Sequence, residues 1–404
     1  MQSEMLECDV LIVGGGPAGL SVASALPDDV STIIVHQDRE IGKPVRTSGA
    51  SWLPALQALG IPEEFYLILE KNEAYSDNEH AELPLGKDSV ILATTELYKW
   101  LASLSDHKDR ELLLATKFLN CTRQQDGSIV SDIRSRDGTK SQIRSKFIID
   151  GTGWHMAVLE SLGLAEKPKR LGIGIEYEYA MGKNDPTRAF FFFGESIPSG
   201  YGWGFPTPEG TFRLGVGVIS PDTDLSPRAV MNTVMASDPE QRFGIDLSGD
   251  YTVNSGILPS VAYESKLVFG NVIRVGDSAN FATPTIGEGI RVCIEFGRLL
   301  GENLGKTVKT GRRWHLLKYE WACRIRMQKD YYFGFIMNSR AAKHYTAEHW
   351  DRSVARMRRI DAATFSQTLR SEFRFGKVFR MVFYSIRGRI WNQLRRLARK
   401  LRSR

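Results

Sequence analysis

The sequence predicts an α/β protein: a Rossmann-type dinucleotide-binding domain, an α+β substrate domain built on an antiparallel sheet, and a helical C-terminal extension. Three observations carry this. The apolar strand DVLIV, residues 9–13, runs into Gly14, Gly16 and Gly19 at G-x-G-x-x-G spacing, and an apolar helix follows. Between Leu171 and Val218 the segments GIGIEYEYAM, RAFFFFG, YGWGFPTPEG and FRLGVGVI are rich in aromatic and β-branched residues, as the strands of one broad antiparallel sheet would be. Beyond Gly305 the pattern is helical and polar to the end.

The glycine turn is the organising element. Gly14 allows the sharp turn, Gly16 lets backbone approach a pyrophosphate, and Gly19 lets the helix pack closely on the strand. Pro17 suits the first helical position, where its missing N–H costs nothing. From Ala18 on, the helix start offers free N–H groups and a positive dipole end to phosphate.

Next comes STIIVH, residues 31–36, a second parallel strand. In dinucleotide folds an acid near its end bonds a ribose hydroxyl. Here His36 holds that place, with Asp38 two residues on, and either could serve. EIGKPVRTSGASW, residues 40–52, is a surface connection or a loop along the cofactor. Short strands with polar turns are expected over 65–85, and Leu97, Leu101 and Leu104 mark a helix over 94–104. Residues 112–149 read as an antiparallel meander ending in KFIIDGTG. A helix is expected over 227–237, strand over 266–275, and a strong helix over 287–304. The resulting division is discontinuous. Residues 1–50, 90–160 and 266–305 form the dinucleotide domain, 51–89 and 161–265 the substrate domain, and 306–404 the helical, basic C-terminal region.

Composition narrows the function. At 404 residues, 42% hydrophobic and 25% charged, the chain is long enough for two domains and ordinary for a soluble globular protein. Cys8, Cys121, Cys293 and Cys323 are too widely spaced for a metal or redox motif, which suits reduced thiols in a cytoplasmic protein. No signal peptide or spanning helix is expected. The net charge of +6 is uneven: residues 370–404 hold twelve Lys or Arg and one acid, so the rest of the chain is acidic. The basicity belongs to the tail, and nucleic-acid binding is not implied.

A second cofactor element is NVIRVGDSANFATPTIGEG, residues 271–289. A strand delivers Asp277, which either caps a turn or accepts hydrogen bonds from a ribityl chain. Pro284, Gly287, Gly289 and Ile290 then open a helix whose start could stabilise charge on a reduced flavin ring. Tyr201, Trp203 and Phe205 alternate on one strand and so share a face, either as packing or as the wall of an apolar pocket.

Together GGGPAG, IGKPVR, the Asp150–Gly151 turn, YGWGFP with a trailing GVGV, and GDSANFATPTIGEGI resemble the geranylgeranyl reductase family, flavoproteins of the p-hydroxybenzoate hydroxylase fold. The resemblance covers roughly residues 8–305. It implies FAD as cofactor, held by Gly14, Gly16, Gly19, Arg46, Asp277, Gly287 and Gly289, and a substrate cavity built partly by the Y-x-W-x-F-P segment. The chain departs from the family at Thr47–Ser48, where Cys-Gly is common, at Thr94, where arginine is common, and at His36. These departures bear on the substrate more than on the cofactor, and make Thr47 a substrate-binding candidate.

The favoured activity is reduction of carbon–carbon double bonds in an isoprenoid or polyene lipid, with hydride from the reduced flavin N5. Tyr201 and Glu288 are proton-donor candidates by neighbourhood alone; for Glu288 the alternative is a first-turn acid favouring the helix dipole. The reductant is NAD(P)H or a ferredoxin-type donor. Competing readings are an FAD-dependent monooxygenase, a carotenoid-type cyclase, and a prenyl-lipid binding module without flavin. The tail 373–401 repeats apolar and basic residues at helical spacing. That pattern suits peripheral attachment to an anionic membrane surface, or packing on its own domain.

Overall fold

Parallel strands that end level set the geometry of the first layer. In a computed structural model, which describes residues 5–106 and 109–373, an eight-stranded sheet contains the parallel strands Val272–Arg274, Lys140–Asp150, Met5–Val13, Thr32–Val35 and Arg110–Leu113, in that order. Val13 is in register with Asp150 on one side and Val35 on the other, and Asp150 is in register with Arg274. The turns that follow therefore emerge together at the carboxyl edge, where α/β sheets bind ligands. The expected meander is present from residue 116 on: Thr116–Arg123 pairs antiparallel with Ile129–Ser135, which pairs antiparallel with Lys140–Asp150, while Leu112 and Leu113 belong to the parallel strand Arg110–Leu113.

The helix Pro17–Ala25 begins at Pro17, with Gly16 as its cap residue. It crosses Ile290–Thr310 at very short range. A Cβ on Gly297, Gly301 or Gly305 would meet Ala18 carbonyl oxygen at 2.7 Å, Val22 carbonyl oxygen at 2.4 Å and Pro27 at 2.2 Å. The four-residue spacing aligns these glycines on one face of the second helix. That helix starts at Ile290, later than the expected 287, because Gly287 has φ +78° and cannot be its first turn.

The second sheet has seven strands in the order Tyr251–Pro259, Leu171–Ala180, Thr211–Ser220, Ile197–Pro206, Arg188–Gly194, Lys71–Tyr75, His80–Glu82. All neighbours are antiparallel except Arg188–Gly194 and Lys71–Tyr75, which run parallel. Alternation separates its faces. Ile175, Tyr177, Tyr179, Phe212, Leu214 and Val216 pack under the helices Pro227–Ala236 and Pro239–Phe243. Gly174, Glu176, Trp203, Gly215 and Gly217 fall on the opposite face. Within 51–89 only the last two strands of the order join this sheet; Ala50–Trp52, Tyr66–Ile68 and Ser89–Leu92 form a three-stranded sheet of their own.

Three further helices follow: Trp314–His344, Ala347–Met357 and Ala362–Leu369. The first is pinned to the dinucleotide layer by two buried hydroxyls. Tyr319 donates to the Arg274 carbonyl at 2.9 Å and Tyr331 to the Phe281 carbonyl at 2.8 Å. The basic amphipathic stretch expected over 373–401 lies, from residue 374 on, outside the described residues. Among the described residues no helix is long and apolar enough to cross a membrane.

The helix crossing yields a test. Helix propensity alone predicts that Gly301→Ala stabilises the protein by about 1 kcal/mol. The 2.4 Å approach predicts the opposite, a loss of about 1–3 kcal/mol from overpacking. Urea midpoints decide between them, with exposed Glu302→Ala as the control that should barely move.

Candidate active site

The level strand ends open into a cavity of about 1120 Å³ that reaches from the glycine turn to the floor of the second sheet. Ordinary small-ligand pockets hold about 300–1,000 Å³, so this cavity lies just above that range. Gly14 has φ +114°, and a Cβ on it would lie 2.2 Å from the Gly151 carbonyl oxygen. Gly16 is different. Nothing lies within 4 Å of the place its Cβ would take, and that open face belongs to the cavity wall with Pro17 and Ala18. Gly19 does not reach the cavity. A Cβ on it would lie 2.1 Å from the Gly14 carbonyl oxygen, so its absence lets the helix pack there, and its expected cofactor contact is corrected to a packing role.

At the end of the second parallel strand, His36, Asp38 and Arg46 act together. The Gly15 N–H donates to His36 Nδ1 at 3.2 Å, and Nε2 lies 3.5 Å from Asp38 Oδ2. Burial lowers the His36 pKa, so the ring is neutral with its proton on Nε2, toward Asp38. Arg46 grips the same carboxylate with two hydrogen bonds of 2.7 and 3.1 Å. All three residues line the cavity. The choice between His36 and Asp38 at the ribose position is thus replaced by a chain in which each orients the next.

Asp150 has a structural role. Fully buried, it accepts from the Thr152 N–H and hydroxyl and from the Val158 and Leu159 N–H groups. These bonds hold the Gly151–Gly153 turn against Gly14.

Asp277 is the opposite case. Its half-buried side chain lines the cavity, and its buried Oδ1 has no hydrogen-bond partner among the described residues. Burial raises its pKa to about 6, opposed by a hydrogen bond from the Ala282 backbone. A buried carboxylate oxygen without a donor is costly unless something supplies one. A ribityl chain carries hydroxyls that would. Pro284, Gly287, Gly289 and Ile290 line the same wall, as do Thr47 and Thr94. The 40–52 loop runs along the cavity, and it rests on the second sheet where a Cβ on Gly256 would strike the Arg46 carbonyl oxygen at 2.0 Å. The open Gly16 face, the His36–Asp38–Arg46 chain and the orphaned Asp277 oxygen fit FAD.

The far floor is aromatic. The Trp203 indole lies on a tray of glycines: a Cβ on Gly215 would sit 2.2 Å from its ring, and one on Gly174 3.3 Å. Tyr201 lines the cavity beside it and donates its hydroxyl to the Ile286 carbonyl. Burial pushes the Tyr201 pKa far up, and the hydroxyl proton is already engaged, so Tyr201 fixes the 284–289 loop to the floor and is a poor acid.

Two expectations are corrected. Phe205 shares the face of Trp203 but is 2% exposed and lies off the cavity. It packs edge-on to Phe191 at 5.4 Å, because the strand has by then passed under the three-stranded sheet. Glu288 is not on the cavity wall either. It turns inward to Arg291 at 3.2 Å and Ser51 at 3.4 Å, which removes it as a proton-donor candidate.

The acid on the floor is one that the sequence reading did not single out. Glu176 lines the cavity and accepts from the Trp203 indole N–H at 3.1 Å. Asn254 reaches Glu176 at 3.4 Å and Glu178 at 2.7 Å, and Arg213 lies 3.6 Å from Glu176 and 3.1 Å from Glu178. Burial raises the Glu176 pKa, with Arg213 pulling it back. The signal was present in GIGIEYEYA, where Glu176 and Glu178 alternate with the apolar residues and must face away from the core.

The Asp277 environment predicts a pH dependence. Its raised pKa means the native state keeps this proton up to about pH 6, while the unfolded chain releases it near 3.8. Between those values stability falls as pH rises, by about 3 kcal/mol in flavin-free protein. Urea titrations from pH 4 to 7 should show that component in the parent and not in Asp277→Asn, and a parent–variant difference that stays flat with pH would contradict it.

Comparison with known proteins agrees with this geometry. A family model described as FAD binding domain matches residues 7–331. Digeranylgeranylglycerophospholipid reductase 3 of Methanosphaera stadtmanae is 28% identical over 318 residues, covering 75% of this chain and 78% of that protein. Digeranylgeranylglycerophospholipid reductase 1 of Methanothermobacter thermautotrophicus is 27% identical over 337 residues, covering 79% and 82%. The crystal structure of a geranylgeranyl bacteriochlorophyll reductase-like protein from Thermoplasma acidophilum superposes with a TM-score of 0.80 at 20% identity, covering 91% of this chain and 96% of that one. At that identity the likeness establishes the fold. With a match over most of its length, the chain belongs to the FAD binding domain family, as an FAD-dependent oxidoreductase.

Proposed function

We propose that this protein reduces carbon–carbon double bonds in an isoprenoid or polyene lipid. The observation that carries the reading is a cavity whose one end has the features of an FAD site and whose other end has an aromatic floor, with Tyr201 and Trp203 lining it. The names of the relatives, reductases of a digeranylgeranyl lipid, support the same substrate class.

Reduced FAD, when bound, supplies the hydride. The remaining work falls to the chain. An isolated alkene is a weak electrophile, so position must compensate. Trp203 offers a broad apolar surface, held in place by its glycine tray and by its N–H bond to Glu176. Tyr201 ties the Ile286–Gly287 turn to that floor and so fixes the distance between the cofactor end and the substrate end. Saturating the double bond also needs a proton on the second carbon. Glu176 is the buried acid on the substrate side of the cavity, and we assign it that role. Reducing equivalents come from NAD(P)H or a ferredoxin-type protein, and anaerobic turnover with each donor in turn separates the two.

Two outcomes test the reading. Under strictly anaerobic conditions with chemically reduced flavin, the enzyme should consume a geranylgeranyl lipid and give product heavier by two hydrogens per bond. A requirement for molecular oxygen would establish a monooxygenase instead. Glu176→Gln should lower kcat by about 10²–10⁴-fold, the ordinary range for losing a general acid, while flavin absorbance stays that of the parent. A variant with near-parental kcat would remove Glu176 as the proton source.

A further inference from the structure

The helix Trp314–His344 has a face that nothing in the described structure covers. Trp314, Leu317, Trp321, Ile325, Tyr332 and Ile336 are exposed by 45%, 59%, 66%, 63%, 55% and 44%. Their spacing of three or four residues, with Gln328 in the gap, places them on one stripe running about 33 Å along the helix. Six large apolar side chains in one line are not the scattered singles that any surface shows.

The charges around the stripe say what it would meet. Between Arg312 and Lys343 there are eight Lys or Arg and two acids. Lys318, Arg324, Arg340 and Lys343 are on the exposed side, and Lys318 lies over the Trp314 ring at 3.8 Å. The acids are turned elsewhere. Glu320 accepts the Leu267 and Val268 N–H groups at 2.7 and 2.9 Å, and the Asp330 carboxylate is largely buried. The opposite side of the helix is rigidly fixed by Tyr319 and Tyr331, so the stripe is held outward rather than free to fold back. A rigid apolar line carrying Trp and Tyr, with exposed cations of its own helix beside it, matches the interfacial region of an anionic bilayer. The same helix places Asn338 on the cavity wall, so the exposed stripe and the cavity share one element.

We propose that the Trp314–Ile336 stripe is the surface by which this protein docks on an anionic lipid bilayer, with the helix lying in the plane of the interface. The stripe precedes the basic tail in sequence, and docking through it does not depend on which lipid the enzyme reduces.

The test uses the full chain with its flavin. Vesicles of phosphatidylcholine with phosphatidylglycerol should co-sediment the protein and blue-shift its tryptophan emission, and pure phosphatidylcholine vesicles should do so far less. Trp321→Glu with Ile325→Glu should weaken binding to the anionic vesicles by about tenfold or more, with thermal midpoint and flavin absorbance unchanged. Parental binding by this double variant would overturn the proposal and assign attachment elsewhere in the chain. Conversion of a parental dimer to monomer by the variant, with no vesicle binding by either, would also overturn it and make the stripe an interface between two copies.

Discussion

Three parallel strands end at one level, and no side chain fits where they meet. Val13, Asp150 and Arg274 share a register line, so the Gly14, Gly151 and Gly276 turns emerge side by side. The turn at Gly14 then abuts the Gly151 carbonyl, and the helix behind it abuts the Gly14 carbonyl through Gly19. Close approach here is transmitted outward: Pro17–Ala25 must sit tight on the sheet, and Gly297, Gly301 and Gly305 bring the Ile290–Thr310 helix tight on it in turn. The position of Asp277 and of the 284–289 loop follows from that stack. The cofactor end of the cavity is therefore a consequence of backbone packing more than of any single binding side chain.

The floor uses the same device for a different end. Glycines on adjacent strands leave a shallow tray, and a tryptophan fills it edge to edge. Filling the tray with Val or Leu would have made an ordinary core. Leaving it empty of side chains gives the indole a flat seat and turns its upper face to the cavity. The hydrogen bond from Trp203 to Glu176 adds direction, since a ring on glycines could otherwise slide.

How much of this was legible in the sequence depended on how local the determinant was. The glycine turn, the parallel strands, the meander and most helix bounds come from short-range pattern, and these agree with the structure. Gly16 and Asp277 were also legible, because strand–turn–helix context places them at an edge. What failed was the step from neighbourhood to direction. Glu288 stands beside cavity residues in sequence, yet Arg291 one turn later turns it inward. Phe205 shares its strand face with Trp203, yet the three-stranded sheet covers that end of the strand. Arg46 lines the cavity, and its carboxylate partner is Asp38, which spacing alone did not reveal. Glu176 was missed for the opposite reason. Its alternation was readable, but nothing local says that the face it occupies is a cavity floor rather than solvent.

The Glu176–Arg213–Glu178–Asn254 cluster is hard to explain as a contribution to stability. Taking two carboxylates and a guanidinium out of water is expensive, and Arg213 Nη1 is left without a partner among the described residues. An apolar floor of the same volume would serve the fold at least as well. The cluster makes sense through what it does to one side chain. Arg213 and Asn254 hold Glu176 beside the indole, and burial raises its pKa, which favours the protonated form that the proposed role as proton source needs. A proton source inside such a cavity is supplied by the protein and held there against its own solvation. The buried charges on either side of Glu176 meet that requirement, and the glycine tray keeps the space above it open.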